Sequence, residues 1–125
     1  MNSNPSILNP ESSFNLTIPD PRIIEKKLDE IVHRIVETAH PLKIILFGSA
    51  VRGEMGVNSD LDILAVVPSG VHRRNTARAI YRSLIGVGFA VDIVVATEED
   101  IERHKDNIGM VIKPALEEGR SLYAK

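Results

Sequence analysis

The sequence contains no cysteine and no tryptophan, only two tyrosines and three phenylalanines, and no marked excess of either charge. Without cysteine there is neither a disulfide nor a thiolate metal site, and a reducing cytoplasm is a compatible home. Lys and Arg number 15 against 17 Asp and Glu, a net charge of −2. The basic excess of a nucleic-acid binder is therefore missing, and direct nucleic-acid binding is not expected. No apolar run reaches the ~20 residues that span a bilayer, and the start lacks the basic and apolar regions of a secretory signal. A cytoplasmic protein with no membrane role is expected. At 125 residues the chain can bury one core, without room for a separate substrate domain.

Residues 1–19 are rich in Asn, Ser and Pro, which suits a flexible or extended arm; Phe14, Leu16 and Ile18 alternate with polar residues, so a docked edge strand is the other reading. The folded domain is expected over 20–125. Asp20-Pro21 reads as a helix start, with Asp as N-cap and Pro at the first position. Ile24, Leu28, Ile31, Val32, Ile35 and Val36 recur at helical spacing until His40-Pro41. His33 and His40 are accounted for as a surface position and a helix end. After a turn at Pro68-Ser69-Gly70, a second helix is expected over 71–85, with Ala77, Ile80, Tyr81, Leu84 and Ile85 on one apolar face. Its other side carries Arg74, Arg78 and Arg82, with Arg73 beside them. That stripe reads as a solvated face, or as a contact surface for a partner or a phosphate-bearing acceptor.

Gly86 and Gly88 end this helix, and Phe89 to Val95 reads as a strand interrupted by Asp92. Thr97-Glu98-Glu99-Asp100 is close to a capping box, with Asp in place of Glu. A last helical segment places Ile108, Val111, Ile112, Ala115 and Leu116 on one face. Pro114 is expected to kink or split it. Gly119 suits a C-terminal cap, and Leu122-Tyr123 a brief edge strand.

The chemistry is concentrated between two apolar runs, Leu42–Phe47 and Ile63–Val67. The segment joining them begins Gly48-Ser49, carries Arg52, and ends Asp60-Leu61-Asp62. On a strand, Asp60 and Asp62 point to the same face while Leu61 and Ile63 point to the other. Two carboxylates ~5 Å apart repel by roughly 3 kcal/mol at an effective dielectric of ~20. Such a pair is seldom kept unless a cation sits between its members. Magnesium is the natural candidate, being hard, oxygen-seeking and commonly held by carboxylates together with substrate phosphates. At the other end, Gly48 allows close backbone approach and the Ser49 hydroxyl is a donor. Arg52 adds a permanently charged fork suited to phosphate. Asp92 sits in an apolar run, where a lone carboxylate is seldom left unpaired. It becomes the third member of an acidic cluster if its strand neighbours that of Asp62; otherwise it marks a bulge or an edge.

Gly48-Ser49, ten intervening residues and then Asp60-x-Asp62 resemble the signature of the nucleotidyltransferase superfamily that includes DNA polymerase β. Val91-Asp92-Ile93 is similar to the apolar-Asp-apolar setting of that family's third acidic residue. The likeness spans roughly residues 22 to 123 and implies an α/β (α+β) fold of the polymerase β palm type, a mixed sheet with helices on one face and carboxylates on the other. It implies that Asp60 and Asp62 bind two magnesium ions, with manganese an acceptable substitute, and that Asp92 binds the ion that activates the acceptor hydroxyl. Gly48 and Ser49 would hold the β- and γ-phosphates of a nucleoside triphosphate such as ATP, with Arg52 nearby.

In size the chain is similar to the minimal nucleotidyltransferases, several of which are antitoxins paired with a small helical HEPN-domain ribonuclease. The resemblance implies transfer of AMP from ATP to a tyrosine of such a toxin. Two other readings stand beside it. One is a binding module that masks its partner without catalysis. The other is a small-molecule nucleotidyltransferase of the aminoglycoside type, in which a homo-oligomer completes the site wall.

Overall fold

The computed structural model describes residues 21–52, 60–104 and 112–125. The N-terminal arm, Asp20, and the expected apolar positions Ile108 and Val111 lie outside the described residues. Helix α1 is Pro21–Ala39, followed by strand β1 (Lys43–Phe47) and a single helical turn α2 (Ser49–Arg52). Strand β2 (Leu61–Val67), helix α3 (Arg73–Ser83) and strand β3 (Val91–Thr97) come next. Two short helices, α4 (Glu98–His104) and α5 (Ile112–Glu118), and strand β4 (Arg120–Ala124) complete it.

The strands form one sheet in the order β3-β2-β1-β4. β1 is antiparallel to both β2 and β4, whereas β2 and β3 run parallel. Parallel neighbours need a crossover, and α3 supplies it. The sheet is therefore mixed, as the resemblance implied.

Side-chain alternation sorts the core into two halves. Leu61, Ile63 and Ala65 of β2 join Ile44, Leu46 and Ile93 against Leu28, Ile31, Ile35, Ile80 and Leu84 of α1 and α3. The other face carries Ile45, Leu64, Val66 and Ala96 against Ala115 of α5, with Ile101 of α4 packed on them. Asp62 has the parity of Leu64 and Val66, so it lies opposite the two long helices. That carboxylate face is not bare, however: α4 and α5 cover the part of it beyond Asp62.

The ends of the elements follow from local chemistry. α1 stops at His40, whose φ of 47° is left-handed and whose N–H still reaches the Val36 carbonyl at 3.0 Å. α3 starts later than expected because His72 caps it, Nδ1 accepting from the Asn75 N–H at 3.2 Å. Arg34 of α1 ties down its far end, donating to the carbonyls of Ser83 (2.9 Å) and Ile85 (3.1 Å). The capping box forms with Asp in the Glu position: Thr97 Oγ1 accepts from the Asp100 N–H, and Asp100 Oδ2 from the Thr97 N–H, both at 3.0 Å. Arg73 bonds the same carboxylate oxygen at 3.0 Å and so joins α3 to α4. α5 starts two residues before Pro114, which thereby falls in its first turn, where no backbone donor is needed.

Two expectations are corrected. The apolar face of α3 is narrower than its spacing suggested: Ile80 and Leu84 are buried, but Tyr81 is 43% and Ile85 75% exposed. The final strand is longer than Leu122-Tyr123 and pairs with β1 along most of its length. Gly119 fits its C-cap role in α5, its N–H bonding the Ala115 carbonyl at 3.0 Å. A Cβ there would collide with that carbonyl and with Ile45.

Ile31 is completely buried between α3 and the sheet. Ile31→Ala removes three carbons from a close-packed site and should lower unfolding free energy by about 2–5 kcal/mol, read from urea denaturation.

Candidate active site

At the end of β1 the chain turns on Gly48, whose φ is +79°. That backbone region costs a residue bearing a Cβ about 1–2 kcal/mol. A Cβ at this position would also collide with Oδ2 of Asp62. Glycine thus lets an acidic side chain lie directly against the backbone. The Gly48 carbonyl accepts from the N–H groups of Val51 (3.1 Å) and Arg52 (3.3 Å), which winds the following residues into α2. Ser49 opens this turn, half-buried, and Arg52 closes it, exposed.

Asp62 is the second residue of β2, paired with Phe47 of β1 on one side and with Asp92 of β3 on the other. Parallel strands lie about 4.8 Å apart and residues in register present the same face. The two carboxylates are therefore neighbours across the ladder. Asp60 precedes β2 by one residue and is exposed. Partial burial pushes the Asp62 carboxyl above its ordinary pKa; the charges of Asp92 and Asp60 push it further, and Arg52 opposes them. Electrostatically, Asp92, Asp60 and Arg52 all act on Asp62. Asp92 departs from the expected buried environment. Among the described residues β3 is a margin of the sheet, so Asp92 is both an edge residue and the neighbour of Asp62.

Asp92 has a partner that helical periodicity did not reveal. Tyr81 reaches from α3 around the sheet margin, and its hydroxyl bonds Oδ1 of Asp92 at 3.1 Å. The same hydroxyl oxygen accepts from the Ile93 N–H at 2.9 Å. Burial raises the phenol pKa, the Ile93 N–H opposes that, and the charges of Asp92 and Asp60 raise it again. The group therefore keeps its proton near neutrality and can donate it to the carboxylate.

Among the described residues, no three acidic or histidine side chains converge as a ready-made metal centre. Asp60, Asp62 and Asp92 share a neighbourhood and a charge rather than a common focus. Their donors nonetheless fit a hard divalent cation: all are carboxylate oxygens. Burial first, and then the charges of Asp92 and Asp60, raise the Asp62 pKa, and a cation would offset the second of these. An open cavity of about 700 Å³, lined by Val71, His72, Arg73, Arg74, Ala77 and Val95, includes none of these acidic residues.

The sequence profile of the nucleotidyltransferase domain matches residues 25–122, nearly the whole described fold. The chain belongs to the nucleotidyltransferase domain family. Domains of this family generally take nucleoside triphosphates and divalent metals and transfer a nucleoside monophosphate. A crystal structure from Sulfolobus solfataricus, described as a candidate nucleotidyltransferase, shares the fold at a TM-score of 0.55 and 22% identity, over 86% of this chain and 91% of that one. The MgGTP-bound Cid1 poly(U) polymerase is a looser match, with a TM-score of 0.46 and 17% identity over 70% of this chain and 36% of the polymerase. No curated protein matches significantly.

The nucleotidyltransferase domain thus brings together the expected Gly48, Ser49, Arg52, Asp60, Asp62 and Asp92 around the adjoining ends of three strands. Tyr81 is the member that was not foreseen. An amphipathic ring at the margin of an apolar stripe is the only sequence signal for it, since the polar tip of a tyrosine seeks a partner.

The Asp62 shift has a consequence for stability. A native carboxyl with a raised pKa holds its proton more tightly than the unfolded one, so stability falls as pH rises from the ordinary aspartate range through the native value. Asp62→Asn keeps the shape and removes the charge. It should raise the melting temperature of ion-free protein at pH 7, and the gain should fade as pH falls to about 3, where both states are largely protonated. Melting curves in EDTA at the two pH values check this.

Proposed function

We propose that this nucleotidyltransferase domain transfers AMP from ATP to a hydroxyl on a partner protein, and that Asp60, Asp62 and Asp92 serve as its magnesium ligands. The in-register pairing of Asp62 with Asp92, against the open backbone of Gly48, is the observation that carries the reading. Two magnesium ions, when bound, would supply charge neutralisation for the triphosphate and acidify the acceptor hydroxyl. Asp60 and Asp62 hold the nucleotide side of the site. Asp92, at the margin, serves the side from which an acceptor arrives. Ser49 offers its hydroxyl to the β- and γ-phosphates, and Arg52 stands close enough to Asp62 to influence its charge and to offer a cationic fork. Gly48 keeps side-chain bulk out of the space between phosphates and carboxylate. Pyrophosphate leaves as the acceptor oxygen bonds the α-phosphate, and catalysis is chiefly positioning and electrostatics.

The acceptor we assign is a tyrosine of a small helical HEPN-domain toxin, which would make the chain an antitoxin acting in the cytoplasm. The exposed side of α3 supports a protein acceptor. Arg74, Arg78 and Arg82 are exposed there, on the helix whose Tyr81 touches Asp92, and Ile85 is exposed just beyond its end. An acidic protein surface would complement that face. The same observation favours a second reading, in which docking on α3 masks the partner without transfer.

Asp92→Asn separates the two. It is nearly isosteric and removes repulsion from Asp62, so it should fold and bind MgATP by calorimetry much as the wild type does. Transfer of label from α-³²P-ATP to a co-purified helical partner should fall by at least about 100-fold, the loss expected when several kcal/mol of charge stabilisation disappear. A variant that lacks transfer yet still neutralises the partner in cells would establish masking instead. ATP binding that is equally tight with and without a divalent metal would refute the magnesium assignment.

A further inference from the structure

We propose that Tyr81 is a positioning residue for Asp92: its hydroxyl holds Oδ1 of the carboxylate and leaves the other oxygen for a divalent cation shared with Asp62. The proposal rests on the reading of these aspartates as metal ligands. It comes from a geometry that the fold does not require. Tyr81 belongs to the helix on one side of the sheet, while Asp92 has the parity of the opposite face. Only because β3 is the sheet margin can the ring pass round it and meet the carboxylate.

The hydroxyl is oriented as well as near. Its oxygen accepts the Ile93 N–H at 2.9 Å, which sends its own proton to Asp92 Oδ1 at 3.1 Å. The ring is held from a rigid base, because the adjacent Ile80 is completely buried and Arg34 clamps the carbonyls of Ser83 and Ile85 just beyond. Asp92 needs such a tether. It is exposed, and it lies in register with the like-charged Asp62. A carboxylate free to rotate away must be recaptured each time a cation binds; one already bonded through a single oxygen is pre-set. Hydrogen-bond partners behind a metal ligand commonly account for 10–100-fold in affinity or activity.

A purely structural alternative makes Tyr81 no more than a cap on the free N–H of an edge strand. Manganese titrations followed by electron paramagnetic resonance, without nucleotide, distinguish the two in wild type, Tyr81→Phe and Asp62→Asn. Tyr81→Phe should weaken manganese binding about tenfold and shrink the manganese-induced rise in melting temperature. In transfer assays its KM for ATP should stay within about twofold while kcat falls, the mark of a group needed at the chemical step. A lower melting temperature of ion-free Tyr81→Phe, with manganese affinity unchanged, would reduce the residue to a strand cap and overturn the proposal. Tighter manganese binding would overturn it too, since the tyrosine would then be holding Asp92 away from the ion. Loss of binding in Asp62→Asn with none in Tyr81→Phe defeats the positioning role alone. Equal binding by wild type and Asp62→Asn defeats the metal reading, and this proposal with it.

Discussion

Two like charges, Asp62 and Asp92, are held side by side by a sheet register that neither can leave. Neighbouring strands lie about 4.8 Å apart, so the two carboxylates repel each other, a repulsion that water moderates because Asp92 is exposed. A one-residue slip of β3 against β2 would relieve it by sending Asp92 to the other face. It would also send Ile93 out of the core, together with the partly buried Val91 and Val95 packed on it. The apolar interior therefore enforces an unfavourable polar contact, which adds to burial in raising the pKa of Asp62. A fold that keeps such a contact has the electrostatic layout of a cation site, with repulsion stored where a ligand can release it.

The surrounding elements follow from that constraint. α1 and α3 fill the opposite face and fix the sheet, while α4 and α5 cover the same face farther along the strands and leave the Asp62 end open. Gly48 is part of the same geometry: a carboxylate lying against the backbone demands a residue with no side chain and with free access to positive φ. Tyr81 and Asp100 perform a related task on the outer margin of β3. They satisfy the N–H groups of Ile93 and Thr97, donors that would otherwise invite another strand. At Ile93 that protection and the acidic site share one hydroxyl.

Proteins that share this fold show how far architecture alone reaches. At 22% identity the likeness to the Sulfolobus solfataricus structure is one of fold, and a fold does not specify an acceptor. Beside the acidic cluster, this chain carries the Tyr81–Asp92 contact and the exposed Arg74, Arg78 and Arg82 of α3.

The sequence by itself determined the element order and the identities of Gly48, Ser49, Asp60 and Asp62, because these signals are local. A short apolar run marks β2, helical spacing marks α1, and a short motif places candidate phosphate and cation ligands on one stretch of chain. The capping box at Thr97-Asp100 and the cap at Gly119 were legible for the same reason. Only the tertiary structure decided that β3 lies parallel to β2 at the sheet margin, which turned Asp92 from an isolated charge in an apolar run into the partner of Asp62. It also decided that Tyr81 leaves the apolar face of α3 to meet that carboxylate. Both are contacts between residues distant along the chain or on different elements, and periodicity records only which face a side chain shares with its own helix or strand, never which neighbour that face will meet.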